Sequence, residues 1–409
     1  MSNIEPTAAP SSPQAAPGEP APASVGTRIA ARLSAALRQL LLPLLAVFTA
    51  LILGAFVIVF SDPEFFTRIG SDPGGALGAG LESVRAAYAG LLTGSLGSPN
   101  AISETLLRAT PLILAGLAVA LGFRAGLFNI GAEGQIYIGA LCATAVGISF
   151  EGLPFFVHLP LAILAGFAGG ALWAFVPGIL KARTGAHEVI TTIMLNYVSY
   201  LTIEFALRQP LFQRPDREDP VSRFVLESAT LPSLFGGDLR VHWGLIIALA
   251  AAFVVSWLLF RSTKGFEFRA VGLNPAAARY AGMSIGRTIV LTMMISGGLA
   301  GLAGASEIIG TNGRLTPGFS PGWGFDAIAL ALLGGSRPLG VVGAALVFGA
   351  LRAGATPMQA ATGIPIDLVV VIQALVIMFI AAPALVRGIY RIKTPRVQGP
   401  EISIKGWGG

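Results

Sequence analysis

Residues 124–139, RAGLFNIGAEGQIYIG, set Asn129, Glu133 and Gln135 among Gly126, Gly131, Gly134 and Gly139 at the head of an otherwise apolar run. Glycine frees the backbone, and polar side chains this closely spaced do not suit a lipid-facing helix. Non-helical backbone at membrane depth survives only where protein buries it or a wet cavity runs beside it. The stretch therefore predicts a broken or re-entrant helix next to a polar path. A second reading also stands: Glu133 is an ordinary first-turn carboxylate at the cytoplasmic interface, stabilised by the helix dipole.

The surrounding chain puts this stretch in lipid. Of 409 residues, 54% are hydrophobic and 12% charged, with a mean hydropathy of +0.74, which excludes a soluble domain with a polar surface. A membrane-spanning helix needs about 20 apolar residues. Runs of suitable length fall at 39–60, 106–123, 126–148, 160–180, 187–207, 243–260, 288–309, 324–337, 338–356 and 366–386. The expected fold is an all-α polytopic transmembrane bundle of about ten spans with broken or re-entrant helices. Pairs such as Gly166/Gly170 and Gly297/Gly301 have the spacing that lets helices approach closely.

Residues 1–27 are rich in Pro, Ala and Ser and read as a disordered tail, 28–390 as the membrane domain, and 391–409 as a cytoplasmic C-terminal tail. The first apolar run starts too late for a secretory signal and reads as a retained helix. With the N-terminus cytoplasmic, 17 of the 27 Lys and Arg fall on the inner side and the other 10 outside. Both termini are then expected in the cytoplasm. Two long outer segments, 61–105 and 208–242, either receive a delivery protein or merely cap helices. The net charge of +6 is scattered in short clusters between apolar runs, so no nucleic-acid partner is expected, only membrane lipid. A single cysteine, Cys142, and three scattered histidines (His158, His187, His242) offer no disulfide and no metal-ligand spacing, so no metal or other cofactor is implied.

Three more segments carry information. HEVITTIMLNY, 187–197, gathers Glu188, Thr191, Thr192 and Asn196 on one helix face. That face turns either toward a water-filled path or toward its own carbonyls and a neighbouring helix. FDAIALALLGGSRPLGVVGAALVFG, 325–349, breaks at Gly334–Pro338 and reads as two short helices with a tight turn. Glu307, Asp326 and Asp367, near span ends, read as solvated caps or as proton ligands of an ion-coupled carrier. Finally KGFEFRAVGLNPAAARYAGMSIGR, 264–287, is basic, and Asn274 and Pro275 form a good helix start. A short exposed inner helix carrying Arg279 and Tyr280 and followed by Arg287 fits a coupling helix seated on a cytoplasmic ATPase. Its alternative is a surface helix touching lipid headgroups.

With these residues in view, the chain resembles, over about 40–390, the inner-membrane permeases of bacterial ABC importers in the branched-chain amino acid and simple-sugar (ribose-type) permease family. The strongest correspondence is GLFNIGAEGQIYIGA, 126–140, which is similar to the nucleoside-type subgroup, as is 187–197. GLNPAAARYAGMSIGR (272–287) and ALLGG (331–335) resemble the family's cytoplasmic and later broken segments. The resemblance implies a multi-pass protein of the bacterial inner membrane that works with a second permease subunit, a cytoplasmic ABC ATPase and an extracytoplasmic solute-binding protein. No GxxxxGK[ST] occurs, so the phosphate-binding loop must belong to another subunit, and this chain is not expected to be an enzyme. The expected function is nucleoside import, with Asn129, Glu133, Gln135, Glu188, Thr191, Thr192 and Asn196 at the path and Asn274, Pro275, Arg279, Tyr280 and Arg287 at the ATPase. A simple-sugar permease of the same family is the alternative, followed by an ion-coupled secondary transporter.

Overall fold

A computed structural model describes residues 25–61, 63–215, 218–363 and 365–391. The expected tails, 1–27 and 391–409, therefore lie almost wholly outside the described residues. The first helix, α1, runs Val25–Ser61, followed by α2 (Pro63–Ile69), α3 (Pro73–Leu96), α4 (Pro99–Arg124) and α5 (Ala132–Ser149). Then come α6 (Phe155–Thr184), α7 (Glu188–Leu207), α8 (Gly244–Arg261), α9 (Thr263–Leu273) and α10 (Pro275–Tyr280). The chain ends with α11 (Ile285–Glu307), α12 (Trp323–Leu333), α13 (Pro338–Thr362), α14 (Asp367–Ala381) and α15 (Pro383–Ile389). Among the described residues the only β pairing is two isolated bridges, both in the segment before α8. Among the described residues, seven helices are long and apolar enough to span a bilayer, and α12 and α14 are shorter apolar helices. The protein is an all-helical, multi-pass membrane bundle with broken helices.

Helix α4 is the axis of the bundle. Ser98 caps it through Ala101 N–H at 3.1 Å, and every residue from Ala109 to Gly122 is buried. Around it stand α8, α11, α12 and α13. The sequence reading made 61–105 an outer loop and began the helix at 106. Here that interval is mostly helical: α3 packs on α13, and α4 begins about two turns earlier. Its glycines allow the packing. A Cβ on Gly90 would lie 3.0 Å from the Met358 Cα, so only glycine lets the two backbones meet.

The expected pair of short helices at 325–349 also changes. Only α12 is short, with 11 residues; the turn at Gly334–Arg337 opens into α13, with 25. At this end Arg124 donates to the carbonyls of Gly335 (3.0 Å) and Ser336 (2.9 Å), and its guanidinium covers the Phe260 ring. At the opposite end the 208–243 segment is tied down. Arg240 pairs with Glu104 at 3.0 Å, and Val241 N–H donates to Ser103 at 3.0 Å. His158 meets the Val146 carbonyl through Nε2 (3.0 Å), which leaves Nδ1 to accept from Ser228 (2.8 Å). His242 is buried beside Arg240, and both effects push its imidazole down to about 4, so it stays neutral and accepts from Gly244 N–H.

The two small-residue pairs meet each other. Gly166 and Gly170 of α6 face Gly297 and Gly301 of α11, and a Cβ on Gly301 would sit 3.0 Å from the Gly170 Cα. Backbone cannot yield as a flexible side chain does. Gly301→Leu is expected to destabilise the protein by about 1–3 kcal/mol or more. Thermal unfolding in detergent checks this, with Gly343→Leu, where open space surrounds the glycine, as the control expected to unfold like the parent.

Candidate functional site

Helix α4 ends at Arg124, and Gly126 turns the chain at φ +70°. Residues 127–131 then run without helical pattern until α5 begins at Ala132. The hydrogen bonds of this break come from side chains. Asn129 Oδ1 accepts from Gly131 N–H (3.1 Å) and from Gln135 Nε2 (3.0 Å). Asn129 Nδ2 donates to Gln135 Oε1 (2.8 Å) and to Ser296 Oγ on α11 (2.9 Å). Ser296 in turn donates to the Ala118 carbonyl on α4 at 2.7 Å. From α7, Asn196 accepts from Gly134 N–H (2.8 Å) and donates to the Ile130 carbonyl (3.0 Å). A Cβ on Gly134 would fall 2.8 Å from that Asn196 oxygen, so the amide clamp requires glycine.

Glu133 occupies the first turn of α5 and is buried. Its carboxylate accepts from Gly324 N–H, at the start of α12, at 2.6 Å, and is hydrogen-bonded to Ser320. The N-terminal ends of two helices thus converge on one carboxyl group. Eleven residues of α12 separate this point from the turn touched by Arg124, a rise of about 16 Å. That is about half the hydrocarbon thickness. Glu133 is thus enclosed within the bundle, at the start of both α5 and α12.

One turn into α12, Asp326 pairs with Arg352 of α13, with both side chains less than one-fifth exposed. Asp326 is therefore neither a solvated cap nor at an outer end, and Arg352 belongs inside the bundle instead of the outer count. An arginine inside an apolar run is costly without a counter-ion, which was the signal in 338–356 that could have found it. Sequence reasoning also missed Ser296 and Ser320, because serines are unremarkable in membrane helices. It missed Lys181 too, which binds Glu188 at 2.5 Å and joins the end of α6 to the start of α7.

Of the seven residues expected at the path, Asn129, Glu133, Gln135, Glu188, Thr192 and Asn196 lie at the break, while Thr191 bonds only within its own helix. Asn129, Glu133, Gln135, Glu188, Thr192 and Asn196 are buried in this chain, and Thr191 is half-buried. Glu188 also reaches Phe128 N–H at 3.4 Å. Thr191 and Thr192 bond backward to helix carbonyls, Thr192 to Glu188 at 2.7 Å. Asn274, Pro275, Arg279, Tyr280 and Arg287 lie apart from these, at the Arg124 end. Asn274 caps α10 through Ala277 N–H (3.0 Å), Pro275 opens it, and Tyr280 is 96% exposed. Arg279 and Arg287 are exposed as well. GMSIG, 282–286, has the spacing of a nucleophile elbow, but Ser284 precedes α11 and follows no strand.

The two groups are joined by backbone. A Cβ on Gly272, at the end of α9, would lie 2.7 Å from both the Arg124 carbonyl oxygen and the Gly126 nitrogen. The exposed helix pair is therefore seated directly on the start of the break.

A polytopic bundle broken at mid-depth, with buried amides at the break, fits a transport permease. The chain belongs to the branched-chain amino acid transport system permease component family, whose profile matches residues 101–381. It is 42% identical over 356 residues to the guanosine ABC transporter permease protein NupP of Bacillus subtilis, covering 86% of this chain and 95% of that one. The nucleoside ABC transporter permease protein NupB of Lactococcus lactis is 35% identical, with 90% and 96% covered. The glucose ABC transporter permease protein TsgB13 of Haloferax volcanii is 41% identical, with 72% and 79% covered. No solved structure matches. Members of the family are permease subunits.

Removing one partner of a buried pair leaves an uncompensated charge. Arg352→Met is expected to destabilise the protein by about 3–5 kcal/mol, and adding Asp326→Asn to recover much of that loss. Thermal unfolding of the two variants and the parent checks this.

Proposed function

We propose that this chain is the permease subunit of an ABC importer that moves nucleosides across the bacterial inner membrane, with both termini in the cytoplasm. The observation that carries the reading is the seat of α9–α10 on Arg124–Gly126. A nearly naked aromatic, Tyr280, and the 86% exposed Leu273 face away from the bundle. Large exposed apolar side chains of this kind suit a partner's groove. A cytoplasmic ATPase gripping this pair would push on Gly272, and Gly272 meets the backbone where the helix is broken. Force from ATP hydrolysis then reaches Asn129, Gln135, Asn196 and Glu133, whose mutual hydrogen bonds can be exchanged for those of water and solute. A second permease subunit completes the path, and a solute-binding protein docks on the tied-down 208–243 segment. Alternating access on this scheme needs the ATPase to hold the two states of the break unequally.

The solute is assigned from the nucleoside-named relatives and from the amide-rich break, which suits a neutral polar molecule. The glucose permease relative keeps a monosaccharide as the second reading. Reconstitution of the chain with its second permease, ATPase and binding protein in proteoliposomes separates them. Uptake of labelled guanosine that requires ATP and is competed by nucleosides but not by hexoses or pentoses is expected. Uptake driven by an ion gradient without ATP contradicts the importer, and competition by sugars alone contradicts the nucleoside.

In the same vesicles, Arg279→Glu with Tyr280→Ala is expected to lower ATP-dependent uptake by about tenfold or more while the permease remains folded and inserted. Unchanged uptake contradicts the coupling role.

A further inference from the structure

Five aromatic rings from three parts of the chain form a continuous ladder beside the break. Tyr197 meets Tyr200 on α7 at 6.3 Å between centroids, and Tyr200 meets Tyr137 of α5 at 4.8 Å. Tyr137 meets Phe319 at 4.8 Å, and Phe319 meets Trp323, the first residue of α12, at 6.2 Å. The inner end is closed: Tyr137 is 4% and Trp323 7% exposed. The outer end is open, with Tyr197 at 62% and Tyr200 half-buried.

The position of the open end is informative. Tyr197 is the tenth residue of the 20-residue α7 and so lies near mid-span. Tyrosines of membrane helices collect at the two interfaces, where the hydroxyl is wet. At mid-depth an exposed phenol facing only lipid lacks a hydrogen-bond partner, which hydrocarbon penalises. Among the described residues no hydrogen bond reaches the Tyr197 or Tyr200 hydroxyl. These two hydroxyls therefore need a polar partner from outside this chain. The rest of that side, Ile190, Met194, Leu201 and Phe205, is apolar and exposed, as lipid or subunit contact requires.

We propose that the Tyr197–Tyr200 end of this ladder is the site where the permease receives the base of a nucleoside, stacking it on the ring faces. This deepens the nucleoside reading given above and rests on it. Every base has a π face, so an aromatic platform accepts purines and pyrimidines alike, and two phenols at its edge offer hydrogen bonds to ring nitrogens and exocyclic groups. The inner rings serve as the rigid backing. Phe319 and Trp323 tie the platform to the start of α12, where Glu133 holds Gly324. Movement of the break consequently shifts the platform with it.

The test uses the complete importer in proteoliposomes, with 8-azidoguanosine as the photoprobe and guanosine uptake measured in parallel. Labelling of peptides that carry Tyr197 and Tyr200, competed by guanosine and not by ribose, is expected. The Tyr197→Leu/Tyr200→Leu double variant is expected to lose about tenfold or more of uptake, while Tyr197→Phe/Tyr200→Phe keeps its ring faces and most of the activity. Guanosine transport by the parent with labelling elsewhere overturns the ladder's role and leaves the importer standing, as does full activity of the leucine variant. Competition of the label by ribose as strong as by guanosine overturns base recognition in favour of a sugar platform. A parent that takes up monosaccharides and no nucleoside overturns both this proposal and the function on which it rests.

Discussion

Water does not reach the hydrocarbon core, so every peptide group there must find its partner within the protein. Residues 125–131 break that rule's usual solution, the helix, and the rest of the bundle is arranged to repair the damage. Asn129 turns back on Gly131 and Gln135, Asn196 reaches across from α7 to Ile130 and Gly134, and Ser296 anchors the assembly to α4. Each group left without its bond would cost about 1–3 kcal/mol. A break supported this fully is rigid unless something moves its supports together.

Those supports converge from several directions. Glu133 binds α5 to α12, the Asp326–Arg352 pair binds α12 to α13, and the Glu188–Lys181 pair binds α7 to α6. Arg124, at the foot of α4, holds the α12–α13 turn. At Gly272 the exposed α9–α10 pair meets the backbone at the start of the break. A mechanical input at α9–α10 thus has a short route to mid-depth, through backbone instead of through a chain of adaptable side chains.

Much of this was legible in the residues. The glycines around Asn129, Glu133 and Gln135 marked the break, and the spacing of Glu188, Thr192 and Asn196 marked a shared face. Asn274 and Pro275 marked the start of α10. What local pattern could not supply was depth and partnership. Glu133 looks the same at an interface as at mid-membrane; only the distant Gly324 distinguishes them. Arg352 lay in an apolar run, but its counter-ion sits 26 residues earlier, across a turn. Tyr137, Tyr200, Phe319 and Trp323 are ordinary core aromatics until tertiary packing lines them up. The 61–105 interval misled because three of its glycines, which read as loop signals, are close helix contacts, Gly80 with Val59 of α1 and Gly90 and Gly94 with α13.

On the proposed mechanism, ATP-driven movement releases a break that side-chain amides otherwise lock. Hydrogen exchange of the 127–135 peptide, measured in the reconstituted importer at rest and during ATP turnover, tests it most directly. Strong protection is expected at rest, because Gly131 and Gly134 donate to buried amides, and faster exchange there during turnover. Equal exchange in the two conditions, with ATP being hydrolysed and solute transported, would contradict it.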